Sequence, residues 1–210
     1  MTEHEIASAI QNYVTSHEGV TNFNISVRQI RDEVDSLRIR TLAELETQGR
    51  SMYPLEDYMQ DMEVNTIREG TRIVAQIPLV YIDVGGRPAF SYLGGVSLDT
   101  NHKVVTGRSR SWAHEDPWTG KMKTVWYNSG RLEFLHKNVP EKVMITAVFR
   151  KPSDLFLYGY DWKKDEYPVP YSVTDILIGK TSESYLRTMY RIFPQSNTQS
   201  DIPVSPQPVK

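Results

Sequence analysis

Apolar residues recur at Val27, Ile30, Val34, Leu37, Leu42 and Leu45, in steps that keep them on one side of a 3.6-residue period. Ser26 and Gln29 stand at the spacing of a capping box, and Ile25 and Ile30 at that of a hydrophobic staple. Gly49 stands where a left-handed C-terminal cap is wanted, so the pattern predicts one long amphipathic helix from Ser26 to Gln48. Arg28, Arg31, Asp32, Glu33, Asp35, Arg38 and Arg40 fill the rest of its surface. Ahead of it, Thr2 and Glu5 make a second capping box, and Ile6, Ala9, Ile10, Tyr13 and Val14 share a helical face to about Ser16. The turn through His17, Gly19 and Asn22 predicts a helical hairpin.

The period changes near Arg72. Residues 73–82 are rich in β-formers, with Pro78 predicting an edge or bulged strand. Strands are predicted over Ala89 to Leu93, stopped by Gly94-Gly95, and over His102 to Arg110. Lys123 to Tyr127, Asn128-Ser129-Gly130 and Arg131 to His136 predict a hairpin, followed by a strand alternating through Val143, Ile145, Ala147 and Phe149. Strands at about ten-residue spacing predict an antiparallel sandwich or barrel. Ser172 with Asp175 predicts a capped helix over Val173 to Ile178, and Gly179 separates it from a second one carrying Leu186, Met189, Tyr190 and Phe193. The expected fold is therefore α+β. Residues 1–70 form a helical region, 71–152 an antiparallel β domain, 153–193 helices that pack on the N-terminal ones, and 194–210 an extended arm.

Composition narrows the chemistry. The absence of cysteine excludes disulfides, thiolate metal sites and cysteine nucleophiles. No apolar run approaches the ~20 residues of a membrane span and the N-terminus lacks a basic signal start, so a protein made in the cytoplasm and free of membrane is expected. Residues 1–70 carry 6 basic against 13 acidic side chains, and residues 71–210 carry 18 against 13. Such opposed halves suit head-to-tail contact between copies.

Asp57, Asp61 and Glu63 read as a solvated acidic turn. Gly85-Gly86 and Gly94-Gly95 fit no phosphate-loop pattern. His114-Glu115-Asp116 with His102 or His136 would supply three ligands or a base, but no spacing supports it. No catalytic residue, metal or cofactor is expected. The strongest surface signal is basic and aromatic: Lys103, Arg108, Arg110, Lys121 and Lys123 interleaved with Trp112, Trp118, Trp126 and Tyr127. It reads as a surface toward DNA or a neighbouring subunit, and on a β-barrel the stretch from Arg108 to Tyr127 would suit single-stranded nucleic acid. Residues 195–210 are polar and proline-rich, with Ile202, Val204 and Val209 as their aliphatic anchors. They read as an arm that orders on a partner.

Ile25-Ser26-Val27-Arg28-Gln29-Ile30 with Arg38, Met144 to Pro152, Glu166-Tyr167-Pro168-Val169-Pro170, and a C-terminal helix ending in a polar tail occur in that order. Together they resemble virion ring or head–tail adaptor proteins of crAss-like and related short-tailed phages. The resemblance implies a structural protein, not an enzyme, that assembles as a twelvefold homo-oligomeric ring at the portal vertex of the virion. Its implied partners are the portal protein, other tail ring or tail-tube proteins, and the genomic DNA passing through the channel that the ring lines.

Overall fold

A computed structural model describes residues 1–18, 25–48, 55–97, 101–106, 123–136 and 138–192. Both predicted capping boxes form. Thr2 and Glu5 exchange bonds at the start of helix α1 (Glu3–Glu18), and Ser26 and Gln29 do the same at the start of α2 (Val27–Thr47). Each satisfies two backbone donors that a helix start leaves without partners. Ile25 and Ile30 are both buried, as the staple requires. At the other end the Gln48 N–H bonds Glu44 O at 3.1 Å, and Gly49 lies outside the described residues.

The third helix, α3, runs unbroken over Tyr171–Ile192, which corrects the expectation of two helices parted at Gly179 and capped at Ser172. It starts from Pro170, whose carbonyl accepts from Val173 and Thr174. Gly179 is exposed and an added Cβ would meet nothing there, so it costs the helix only ~1 kcal/mol, which packing on either side outweighs. Val173 and Leu177 join Ile6, Ile10, Ile30 and Val34 in one apolar cluster where the three helices meet. Among the described residues no helix is long and apolar enough to cross a membrane.

Two sheets share a second core. One orders β1 (Gln60–Asn65), β8 (Lys142–Ala147) and β4 (Phe90–Gly95), with β8 central. The other orders β2 (Ile67–Glu69), β3 (Arg72–Gln76), β7 (Arg131–Phe134), β6 (Thr124–Asn128) and β5 (Lys103–Val105). Met62, Leu93, Val143 and Ile145 of the first meet Ala75, Val125, Leu132 and Phe134 of the second. The class is α+β, and no closed barrel forms.

Several details depart from the sequence pattern for physical reasons. Strands β1 and β2 lie ahead of residue 71, because Met62 and Val64 alternate inward while Asp61 and Glu63 point out, a two-residue period inside an acidic stretch. The run 73–82 is split at Pro78. β3 ends at Gln76, and residues 79–82 cross to the other sheet, where Tyr81 N bonds Val148 O and Arg150 N bonds Leu79 O. Gly94 and Gly95 sit buried inside β4 opposite Met144 and Val143, so they do not stop the strand. β5 is short and runs parallel to β6, against the all-antiparallel expectation; the connection over 106–123 has the length that a parallel pair requires. The predicted β6–β7 hairpin is present. Ser129 and Gly130 both have positive φ, and a Cβ on Gly130 would fall 2.7 Å from Ile77 O, so this turn requires glycine.

Val34 is 1 % exposed, whereas Leu37 is half-buried at the cluster edge. Val34→Asp should therefore abolish cooperative unfolding near room temperature, since an unpaired buried charge costs several kcal/mol, while Leu37→Asp should lower Tm by less. Gly179→Ala should stabilise by ~0.5–1 kcal/mol. Thermal melts of the three variants check this ordering.

Candidate functional site

The helical layer and the sheets meet at Arg38, which is 0 % exposed. Its Nε donates to Pro168 O, Nη1 to Phe149 O and Nη2 to Tyr58 O, at 2.8–2.9 Å. Those carbonyls belong to the segment entering α3, the second residue past β8, and the 3-10 turn Leu55–Tyr58 before β1. A planar guanidinium spans three such acceptors, and a lysine ammonium on a single point does not. The apolar pattern placed Arg38 among the surface residues, yet it falls four residues from both Val34 and Leu42, on the buried stripe itself.

Asp35, one turn earlier on α2, is 1 % exposed and accepts from the Tyr167 hydroxyl at 2.6 Å through Oδ1; its Oδ2 has no hydrogen-bond partner among the described residues. Burial lifts its pKa to about 7, opposed by the Tyr167 hydrogen bond and the Arg38 charge and reinforced by Glu3. Glu3, buried at the start of α1, is raised by burial and pulled back by its ion pair with Arg31. Arg31 also lies 4.3 Å over the Trp162 ring. These groups bind α1, α2 and the 161–168 segment into one polar seam.

Of the basic surface predicted from sequence, Lys103 and Lys123 come together at the open end of the β5–β6 pair, where Lys103 N bonds Lys123 O at 2.9 Å. Lys103 is exposed and Lys123 half-buried. Arg108, Arg110, Lys121, Trp112, Trp118 and His114-Glu115-Asp116 lie outside the described residues, as do Ile202, Val204 and Val209 of the arm. Tyr127 is buried in the core with its hydroxyl accepting from Val80 N, while its neighbour Trp126 is half-buried on the opposite face of β6.

Behind the two lysines sits a histidine pair that spacing alone did not reveal. His102 Nδ1 bonds Leu93 O at 2.9 Å, and its Nε2 faces His136 Nε2 at 3.1 Å, with Phe134 edge-on to both rings. The donor set orders the protons. His102 donates from Nδ1, so its Nε2 accepts from His136. Burial holds both imidazoles below the usual histidine range, and the Lys123 charge adds to it. The pair ties β4 of one sheet to the end of β7 in the other. Among the described residues no group of three or more histidine or carboxylate side chains is placed to hold a metal.

Two clefts open beside the Arg38 seam. One, of about 490 Å³, is lined by Asp32, Asp35, Ser36, Ile39, Leu79, Arg150, Lys151 and Asp154. The other, of about 560 Å³, runs on from Ile39, Leu79 and Arg150 to Ile82, Gly86, Thr106 and Ser129. Lys151 is neutralised by Asp32 at 2.8 Å, while the Arg150 guanidinium makes no ion pair among the described residues. Compared with known proteins, the chain matches no family model, and no curated protein matches it.

The buried groups have opposite pH signatures. The Asp35 pKa is raised from an ordinary 3.8 to about 7, so its stabilising contribution is complete below 3.8 and lost as pH rises through about 7. Asp35→Asn keeps the Tyr167 bond and should raise Tm at pH 8 while changing little at pH 4. At pH 8 the gain is on the order of 4 kcal/mol at most, read by denaturant unfolding at the two pH values. The histidine pKa values are depressed, so their contribution is complete above about 6.5 and lost as pH falls through the lower folded values. Imidazole proton resonances of His102 and His136 should titrate together, with midpoints below 6.5. Arg38→Ala should cost on the order of 3–5 kcal/mol and Arg38→Lys should not restore it, as thermal melts will show.

Proposed function

We propose that this chain is a structural subunit of a phage virion, forming a ring that joins the portal to the tail and surrounds the DNA channel. The observation that carries it is the set of large apolar side chains left in water on an otherwise well-packed subunit. Phe156 and Leu157 are adjacent and 63 % and 85 % exposed, with Tyr171 at 77 % and Val84 at 64 %. Surfaces of this kind are covered by other chains. The uneven charge along the sequence supports a contact between unlike faces, and a head-to-tail contact closes into a ring when its rotation permits. The resemblance to virion ring and adaptor proteins points the same way, and with it come twelvefold copies, the portal protein, neighbouring tail rings and channel DNA as partners.

In this reading the subunit has no catalytic task. Lys103 and Lys123 face DNA in the channel or an adjacent copy. The arm of residues 194–210 reaches a neighbour, with Ile202, Val204 and Val209 as its anchors and with the ring holding its target at high local concentration.

Mass photometry of the purified protein, alone and with its portal, tests the reading. The expected result is a discrete homo-oligomer near twelve copies, formed alone or on the portal. Leu157→Asp should lose that species without lowering the monomer's Tm. A protein that stays monomeric with its portal present and binds single-stranded DNA with a steep salt dependence would instead be a nucleic-acid-binding β protein.

A further inference from the structure

The two clefts beside Arg38 form one groove, because Ile39, Leu79 and Arg150 line both. The Asp32, Asp35 and Asp154 carboxylates line one end, whereas from Arg150 toward Ile82 no acid lines it and the wall is aliphatic, with Leu79 45 % and Ile82 53 % exposed. At its middle stands Arg150, exposed and with no acidic partner among the described residues, while the neighbouring Lys151 is satisfied by Asp32. An apolar wall with a single free cation suits an extended segment carrying one carboxylate next to spaced aliphatic side chains.

The chain contains such a segment. Residues 193–210 follow α3, and within them Asp201-Ile202-Pro203-Val204 places a carboxylate beside two aliphatic residues, with a proline that favours extended backbone. The position where α3 leads is also right. α3 packs along α2, with Lys180 Nζ 3.5 Å from Glu44 Oε2 and Tyr185 and Leu186 against the cluster that includes Val34. From Tyr185 to Ile192 the helix advances ~10 Å, and Asp32 to Ile39 spans another ~10 Å along α2. Residues 193–201 reach ~30 Å when extended, enough to return along the same groove or to cross to that of an adjacent copy.

We propose that residues 201–204 of this chain occupy the groove, with the Asp201 carboxylate on Arg150 and Ile202 and Val204 against Leu79 and Ile82. This rests on the arm described under the ring reading and gives it a docking site. Binding through one ion pair and two aliphatic contacts is weak by itself. It becomes effective because the segment is tethered, within one chain or by assembly.

The test uses the full chain with a photo-crosslinking residue at Val204. Crosslinks should map to residues 79–82 or 150–154, within a chain or between chains; mixing isotope-labelled and unlabelled protein tells the two apart. Arg150→Glu should cut that crosslink about fivefold, and adding Asp201→Arg should restore it. Arg150 is exposed, so the melting temperature of these variants should stay that of the parent. Crosslinks that map elsewhere, no crosslink at all, or a yield indifferent to the charge swap would overturn the proposal. A ring seen by mass photometry with crosslinks outside the groove removes the docking site and leaves the ring; groove crosslinks in a protein that never oligomerises do the reverse.

Discussion

One buried guanidinium ties the helices to the sheets at their centre. Arg38 holds three backbone carbonyls from three segments far apart in sequence: Tyr58, Phe149 and Pro168. Tyr58 ends a 3-10 turn and Phe149 and Pro168 lie outside the strands and helices, so each carbonyl lacks a ladder partner at that point and needs a donor of its own. Burying the charge is expensive, and the cost is offset because each hydrogen bond is to an otherwise orphaned acceptor in a water-free place. The arrangement fixes the angle at which the helical layer meets the β-module, and therefore the shape of the groove between them.

Two carboxylates accompany this charge, and they differ in how they are held. Glu3 is pinned to Arg31 from the start of α1, while Asp35 leans on the Tyr167 hydroxyl and, among the described residues, keeps one oxygen without a partner. Burial raises both pKa values, that of Asp35 to about 7, so burial works against the ionised form of each. The same economy appears in the histidine pair, where two neutral rings share one hydrogen bond between the sheets. These buried polar contacts define a single relative placement of layers whose apolar faces alone would pack in several ways.

The outer surface tells a different story. Among the described residues nothing covers Phe156, Leu157, Tyr171 and Val84, and the groove beside Arg38 sets Leu79 and Ile82 next to a cation that makes no ion pair among them. A chain arranged this way has a well-packed interior and exposed apolar side chains, the combination on which the proposed assembly rests.

Much of the secondary structure was legible because its determinants are local. The two capping boxes, the staple at Ile25 and Ile30 and the hairpin at Ser129-Gly130 each depend on residues within a few positions of one another, and each formed. Where the reading failed, a local signal met a tertiary force. Gly179 does not break α3 because packing on α1 and α2 outweighs one glycine, and the acidic surface of β1 hid its inward Met62 and Val64. Arg38 and Asp35 were read as solvent-facing since charge usually means exposure, although the position of Arg38 between Val34 and Leu42 marked it for burial. The meeting of His102 with His136 had no signal in their spacing. By itself the sequence determined the helix starts, the hairpin, the α+β class and the lack of thiol chemistry, all set by short-range sterics, hydrogen bonding and composition. Only the tertiary structure decided which charges are buried, which carbonyls Arg38 holds, and that a groove lies beside it, because those depend on distances between segments that no local period encodes.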